Sequence, residues 1–340
     1  MSSAESSTPT VSLNSENYSP DSKIIGSIDQ GTSSTRFILV NAKSGRIVAS
    51  SQMEHTQMYP QTGWHEHCPF EIWNNTKLCM QTCIEGAKEA FPSIEVDAIG
   101  ITNQRETTVV WNAETGKTYY NAIVWDDLRT SNLASDLEKS TTGITEKTGL
   151  PLASYFAGTK VKWLIENCAE LREDIEKNPQ QVRFGTIDTW LIYQLTGEAS
   201  KDSGKANQNG EFVTDVTNAS RWLFMNLKTL KWDSDIISQI LDIGNVEEFI
   251  ENCLPGIKPS SYMYGKVSSA IPEFLGVKIA SILGDQQAAL FGQACFSIGE
   301  AKCTYGTGLF LMMNIGGSLK QSSHGLLTTL GYQLEGEEPV

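Results

Sequence analysis

The sequence predicts a mixed α/β protein. Short runs rich in Ile, Val, Phe and Thr, bounded by Gly, Asn and Ser, alternate with longer stretches whose apolar residues recur at helical spacing. With 340 residues, 40% of them hydrophobic and 19% charged, the chain has material for about two domains and is too apolar to be largely disordered. No apolar run approaches the ~18 to 20 residues needed to cross a membrane.

Taken in order, residues 1–22 are rich in Ser and Thr and contain no Lys or Arg. They lack the marks of a signal or transit peptide, so a mobile polar tail is expected, with order beginning at Lys23. Residues 24–28, 37–40 and 46–52 read as three strands of an antiparallel meander. Residues 70–91 read as a helix with Pro69 in its first turn and Ile72, Trp73, Leu78, Ile84 and Ala87 on its apolar side. Strands follow at 96–102, 107–111 and 121–125, and helices at 129–139, 159–177 and 186–195. Residues 201–210 read as a surface loop, and 234–241 and 286–294 as helices. Strands surround Tyr305-Gly306-Thr307-Gly308.

Composition narrows the function. Forty acidic residues against 26 basic ones give a net charge of −14, which disfavours nucleic-acid backbones and anionic lipid as general partners. A phosphate ligand in a local pocket stays compatible with it. The seven cysteines contain no C-x-x-C pair, so free thiols and a cytoplasmic location are expected. The four histidines (55, 65, 67 and 324) lack metal-binding helical spacing and are assigned no catalysis.

Three polar segments carry candidate chemistry. Asp29-Gln30-Gly31-Thr32-Ser33-Ser34-Thr35-Arg36 joins two apolar strands. Gly31 would let a phosphate approach backbone N–H groups, Thr32, Ser33 and Ser34 add hydroxyls, Arg36 adds charge, and Asp29 could hold hydrated Mg²⁺. An ordinary β-hairpin explains the same residues. Asn103-Gln104-Arg105-Glu106 lies between two strands, where Arg105 and Glu106 can act together only across a bend or bulge. That pair suits a polyol, with a strand-end salt bridge as the alternative. Asp285, in Gly284-Asp285-Gln286-Gln287, is either a helix N-cap or a general base. Trp125 and Phe310 are apolar walls of a site or core residues. A second Gly-Thr turn, Gly306-Thr307, could face the first across a polyphosphate. No Walker-type phosphate loop occurs.

Together these segments resemble the FGGY family of carbohydrate kinases, in a version most like its fungal members. The matching runs are 27–36 (SIDQGTSSTR), 63–67 (GWHEH), 100–108 (GITNQRETT), 121–130 (NAIVWDDLRT), 148–160 (TGLPLASYFAGTK), 284–292 (GDQQAALFG) and 305–314 (YGTGLFLMMN). The resemblance implies an actin-like, ribonuclease H-like fold of two domains, 23–275 and 276–340, with the second incomplete. It implies ATP and Mg²⁺ as cofactors and glycerol, rather than xylulose or gluconate, as acceptor. By matched position Arg105, Glu106, Tyr155, Asp285, Gln286, Trp125 and Phe310 would meet glycerol. Thr32, Ser33, Ser34, Arg36 and Thr307 would meet the nucleotide, Asp29 the metal, and Asp285 would be the base. Complete members are longer, so a C-terminally truncated chain is expected, with an inactive polyol-binding fragment as the alternative. An actin-like scaffold ATPase is disfavoured by the polar pairs of the acceptor site. Direct membrane insertion is not expected, and a homo-oligomer is compatible with the sequence.

Overall fold

The computed structural model describes residues 9–306 and 308–340. Alternation governs its first hairpin. In strand Ile24–Gln30 every second residue, from Ile24 to Gln30, is buried, and in Ser34–Asn41 Thr35, Phe37, Leu39 and Asn41 are buried. Strand Ile47–Glu54 completes the meander. Val96–Asn103 pairs in parallel with Ile24–Gln30, and Lys278–Gly284 pairs in parallel with Val96–Asn103. These five strands form a mixed sheet in which only Ser34–Asn41 runs against the others, the ribonuclease H-like arrangement. Val11–Leu13 and Ser261–Lys266 extend it to seven strands, one at each edge.

The Val11–Leu13 strand corrects the expectation of a mobile tail up to residue 22. Val11 pairs with Ser51, Asn14 N–H donates to the Val48 carbonyl, and the Val11 methyl groups close over Gly86. An alternating Val-Ser-Leu segment thereby covers an edge that Ile47–Glu54 would otherwise leave open. Residues 1–8 of the expected tail lie outside the described residues.

Helices Pro69–Ala90 and Ile187–Thr196 pack against this sheet and each other, with Trp190 Nε1–H donating to the Pro69 carbonyl at 2.9 Å. Leu78 points to solvent, and Cys79 and Cys83 take the buried row instead. Burial pushes the Cys83 thiol up to about 12, so it stays protonated and serves as core.

A four-stranded antiparallel sheet (Glu66–His67, Ala122–Ile123, Thr108–Asn112 and Val182–Thr186) carries a second core. Packed into it are helices Ala157–Asn167, Ala169–Lys177, Ser234–Ile240 and Val246–Cys253. The single helix expected over 159–177 is therefore two. Cys168 is extended (φ −115°, ψ 101°), and Arg172 reaches back to the Ile165 and Glu166 carbonyls. Those bonds satisfy acceptors that a helix end leaves free. The expected 201–210 surface loop has a buried centre, since Asn207 bonds Gln194 through both its backbone N–H and its side chain.

A domain boundary near residue 276 does not coincide with a break in the sheet. Ser261–Lys266 and Lys278–Gly284, on either side of it, are adjacent strands. Beyond them a separate hairpin, Ala301–Tyr305 with Leu309–Met313, exposes Leu309 and Leu311 to about 70%. No helix among the described residues is long and apolar enough to cross a membrane.

Candidate active site

Three neighbouring parallel strands end together. Gln30 and Gly284 both stand in register with Asn103, so the segments after these residues emerge side by side at the carboxyl ends of the strands. Ligands bind at that end of such sheets. Here the three segments are the Gly31-Thr32 turn, Gln104 to Thr107, and Asp285-Gln286. The second sheet adds Trp125, just beyond Ala122–Ile123, and Tyr155 comes from the loop before Ala157–Asn167. The hairpin at 301–313 adds Thr304, Gly306, Gly308 and Phe310. They surround a cleft of about 350 Å³.

The bend that a joint role for Arg105 and Glu106 requires is present. Glu106 has φ +61°, and Thr107 N–H donates to the Arg105 carbonyl at 2.7 Å, a γ-turn centred on Glu106. Left-handed backbone at a non-glycine residue is strained, and such strain clusters at functional sites. The turn aims both side chains the same way. Arg105, 5% exposed, has Nε 3.4 Å from Asp285 Oδ1 and 3.9 Å from Glu106 Oε2. Its terminal nitrogens donate to Gln287 Oε1 at 3.2 Å and to the Tyr155 hydroxyl at 3.3 Å. A Cβ on Gly284 would stand 2.7 Å from Arg105 Cγ and Cδ, so glycine at 284 is what lets the guanidinium lie there.

Asp285 is not an N-cap. Gly284 holds that position, and Asp285 opens the helix Asp285–Gly292, accepting from its neighbour's N–H at 2.7 Å. Burial pushes its carboxyl above the ordinary range while Arg105 pulls it down. The net direction is upward, with the Glu106 carboxylate adding to burial. Burial pushes Tyr155 up to about 12, so it is a neutral hydroxyl. The Trp125 ring lies 5.7 Å from Tyr155 and 5.9 Å from Phe310, and the Arg105 guanidinium stacks 5.5 Å over Phe310. The cleft thus has an aromatic side and a polar side.

The turn at 29–36 divides. Asp29 and Thr32 line the cleft, whereas Ser33, Ser34 and Arg36 do not. Arg36 stands opposite Asp29 in the hairpin, 3.9 Å from its carboxylate, and bonds Gln52 at 2.7 and 3.0 Å. Ser34 Oγ accepts from Gln52 at 3.1 Å. The Gly31 N–H is taken by the Ser34 carbonyl, while the Thr32 and Ser33 amides have no partner among the described residues. Trp125 Nε1–H donates to Thr32 Oγ1 at 2.8 Å. Indole nitrogen is only a donor, so the Thr32 hydroxyl proton is left for another acceptor. Thr307 lies outside the described residues.

Sequence reasoning missed the supports. Arg221 donates to Glu106 Oε1 with both residues buried, from 115 positions away. Lys160 Nζ holds the Ser154 and Tyr155 carbonyls, each at 2.8 Å. Gln57 Nε2 holds the Thr32 carbonyl at 3.1 Å, and its Oε1 accepts from His65 and His67 at 2.9 Å each. Lys160 and His65 lie within quoted motifs; nothing local marks Arg221 or Gln57.

The sequence profile of the FGGY family of carbohydrate kinases, N-terminal domain, matches residues 24–292. The chain belongs to this family, and its fold is the family's actin-like, ribonuclease H-like one. Among curated relatives it is similar to the glycerol kinase of Brucella anthropi, at 48% identity over 94% of this chain and 60% of that protein. It is 47% identical to the glycerol kinase of Roseiflexus sp., over 94% of this chain and 59% of that one. Among solved structures it resembles Plasmodium falciparum glycerol kinase with ADP, with a TM-score of 0.84, 38% identity, and coverage of 94% of this chain and 60% of that one. The xylulose kinase of Rhodospirillum rubrum shares the fold, at TM-score 0.73 and 17% identity over 88% of this chain and 57% of that one. The chain spans about 60% of the length of the curated relatives it matches.

Proposed function

We propose that the cleft is the acceptor site of an ATP-dependent kinase that phosphorylates a terminal hydroxyl of glycerol, giving sn-glycerol 3-phosphate and ADP. The observation that carries this reading is the convergence of Arg105, Glu106, Tyr155 and Asp285 opposite the Trp125 and Phe310 rings. A polyol needs donors and acceptors for each hydroxyl and an apolar surface for its carbons. The similarity to glycerol kinases supports the choice of glycerol.

In this reading Arg105, Glu106, Tyr155 and Gln286 fix glycerol, and Trp125 and Phe310 exclude water from its carbon side. Asp285 accepts the proton of the attacking hydroxyl, help typically worth ~10²- to 10⁴-fold. The Thr32 hydroxyl and the Thr32 and Ser33 amides meet the transferring phosphate, with Gly306 and Gly308 opposite. Ser34 and Arg36 are assigned a nucleotide role only if their bonds to Gln52 open. Asp29 suits Mg²⁺, which takes one or two carboxylates and keeps its waters. When bound, that ion neutralises charge on the phosphate oxygens. The enzyme is proposed to be cytoplasmic.

The test joins this chain to the part of the Brucella anthropi relative that it does not cover and follows ATP-dependent glycerol 3-phosphate formation. Turnover of glycerol, abolished by Asp285→Asn while glycerol still binds, is expected. Preference for xylulose or gluconate, or near-normal turnover in Asp285→Asn, would overturn the reading.

A further inference from the structure

Lys302 is nearly inaccessible, at 6% exposure. It sits on the strand Ala301–Tyr305, where Ala301, Cys303 and Tyr305 are exposed and Lys302 and Thr304 turn inward. Its ammonium donates to Gln286 Oε1 and, at 2.8 Å, to Thr304 Oγ1. Gln286 in turn donates from Nε2 to Asp285 Oδ2 at 3.2 Å. Gln286 and Thr304 both line the cleft.

We propose that Lys302 is a positioning residue that fixes the polarity of the Gln286 amide, so that the cleft meets its NH₂ end as a donor. An ammonium group has three donors and no acceptor, so only the amide oxygen can face it. Chemistry therefore decides an orientation that atom positions alone leave ambiguous. Of the two amide protons one goes to Asp285, and the other is left for the ligand. The same logic turns Thr304 into a donor, because its oxygen accepts from Lys302 and its own proton is free.

This polarity matters because Asp285 and Glu106 already present acceptors. An amide free to turn over would offer a third acceptor beside them, and a polyol hydroxyl has only one proton to give. Burial lowers the Lys302 ammonium's pKa, and so does Arg105, while Asp285 holds it up. The proposal rests on the reading of the cleft as a glycerol site.

The experiment is a glycerol titration of this chain, read by fluorescence of the tryptophans, with near-ultraviolet circular dichroism as the check on folding. Lys302→Met is expected to weaken glycerol about tenfold, the loss of one oriented hydrogen bond. Lys302→Arg, which keeps a donor, recovers most of that. Gln286→Ala weakens binding similarly, and Lys302→Met adds little on top of it, since Lys302 acts through Gln286. A merely structural Lys302 would add its full loss in the double variant, and that result overturns the proposal. Should Lys302→Met fail to fold, Gln286→Glu decides. It keeps the contact with Lys302 but has no N–H, so it is expected to lose binding as Gln286→Ala does, and unchanged affinity overturns the proposal. Binding by the unaltered chain with Lys302→Met equal to it removes the proposal alone. No binding by the unaltered chain removes the glycerol reading with it.

Discussion

Replacing Arg221 by Met is expected to destabilise the chain by about 3 kcal/mol, the lower end of the range for breaking a buried ion pair. The magnitude follows from what Glu106 would keep. Glu106 is 1% exposed and Arg221 2% exposed. With Arg221 gone, the nearest cation is Arg105, whose Nε is 3.9 Å from Glu106 Oε2 and is shared with Asp285 at 3.4 Å. That partial partner keeps the loss at the lower end. The γ-turn at φ +61° sets the direction in which Glu106 projects, toward the buried wall of the cleft. The double variant Arg221→Met/Glu106→Gln removes both charges and is expected to regain about 2 kcal/mol of the loss. Urea unfolding followed by circular dichroism measures both, with the slope m compared between variants. A loss below about 1 kcal/mol in the single variant, or a double variant no more stable than the single one, would refute the reasoning.

Two further outcomes are expected. Trp125→Phe keeps an aromatic wall but loses the 2.8 Å bond to Thr32 Oγ1. Calorimetric titrations should find ATP weakened about three- to tenfold and glycerol changed by about twofold or less. Asp188 is fully buried between the Thr186 and Thr214 hydroxyls, and burial pushes its carboxyl from 3.8 up to about 7. As pH rises the unfolded chain loses this proton first. The stability Asp188 contributes is therefore fully present below 3.8 and lost as pH climbs through about 7. Asp188→Asn should flatten that slope and leave the chain as stable or more so above it, checked by urea midpoints across this range.

The sequence was informative where chemistry is local. Alternation from Ile24 to Val40 defines the first hairpin, and a joint role for Arg105 and Glu106 requires a bend, which is present at Glu106. It was silent where a side chain's partner is distant. Arg221 reads as one charge among many until the fold brings it to Glu106, and Lys302 lies 16 positions from Gln286. Thr32, Ser33 and Ser34 look equivalent in the sequence; of the three, Thr32 lines the cleft, and Ser34 accepts from the Gln52 side chain. Val11–Leu13 was missed because three residues in a polar segment carry little pattern, and it is the open sheet edge that orders them.

The most direct measurement is a calorimetric titration of glycerol into this chain, beside its Arg105→Ala variant. One saturable site in the unaltered chain, lost in Arg105→Ala, is the expected result, since Arg105 joins Asp285, Glu106, Tyr155 and Gln287. Absence of binding, or binding that Arg105→Ala leaves intact, would contradict the assignment of this cleft to a polyol.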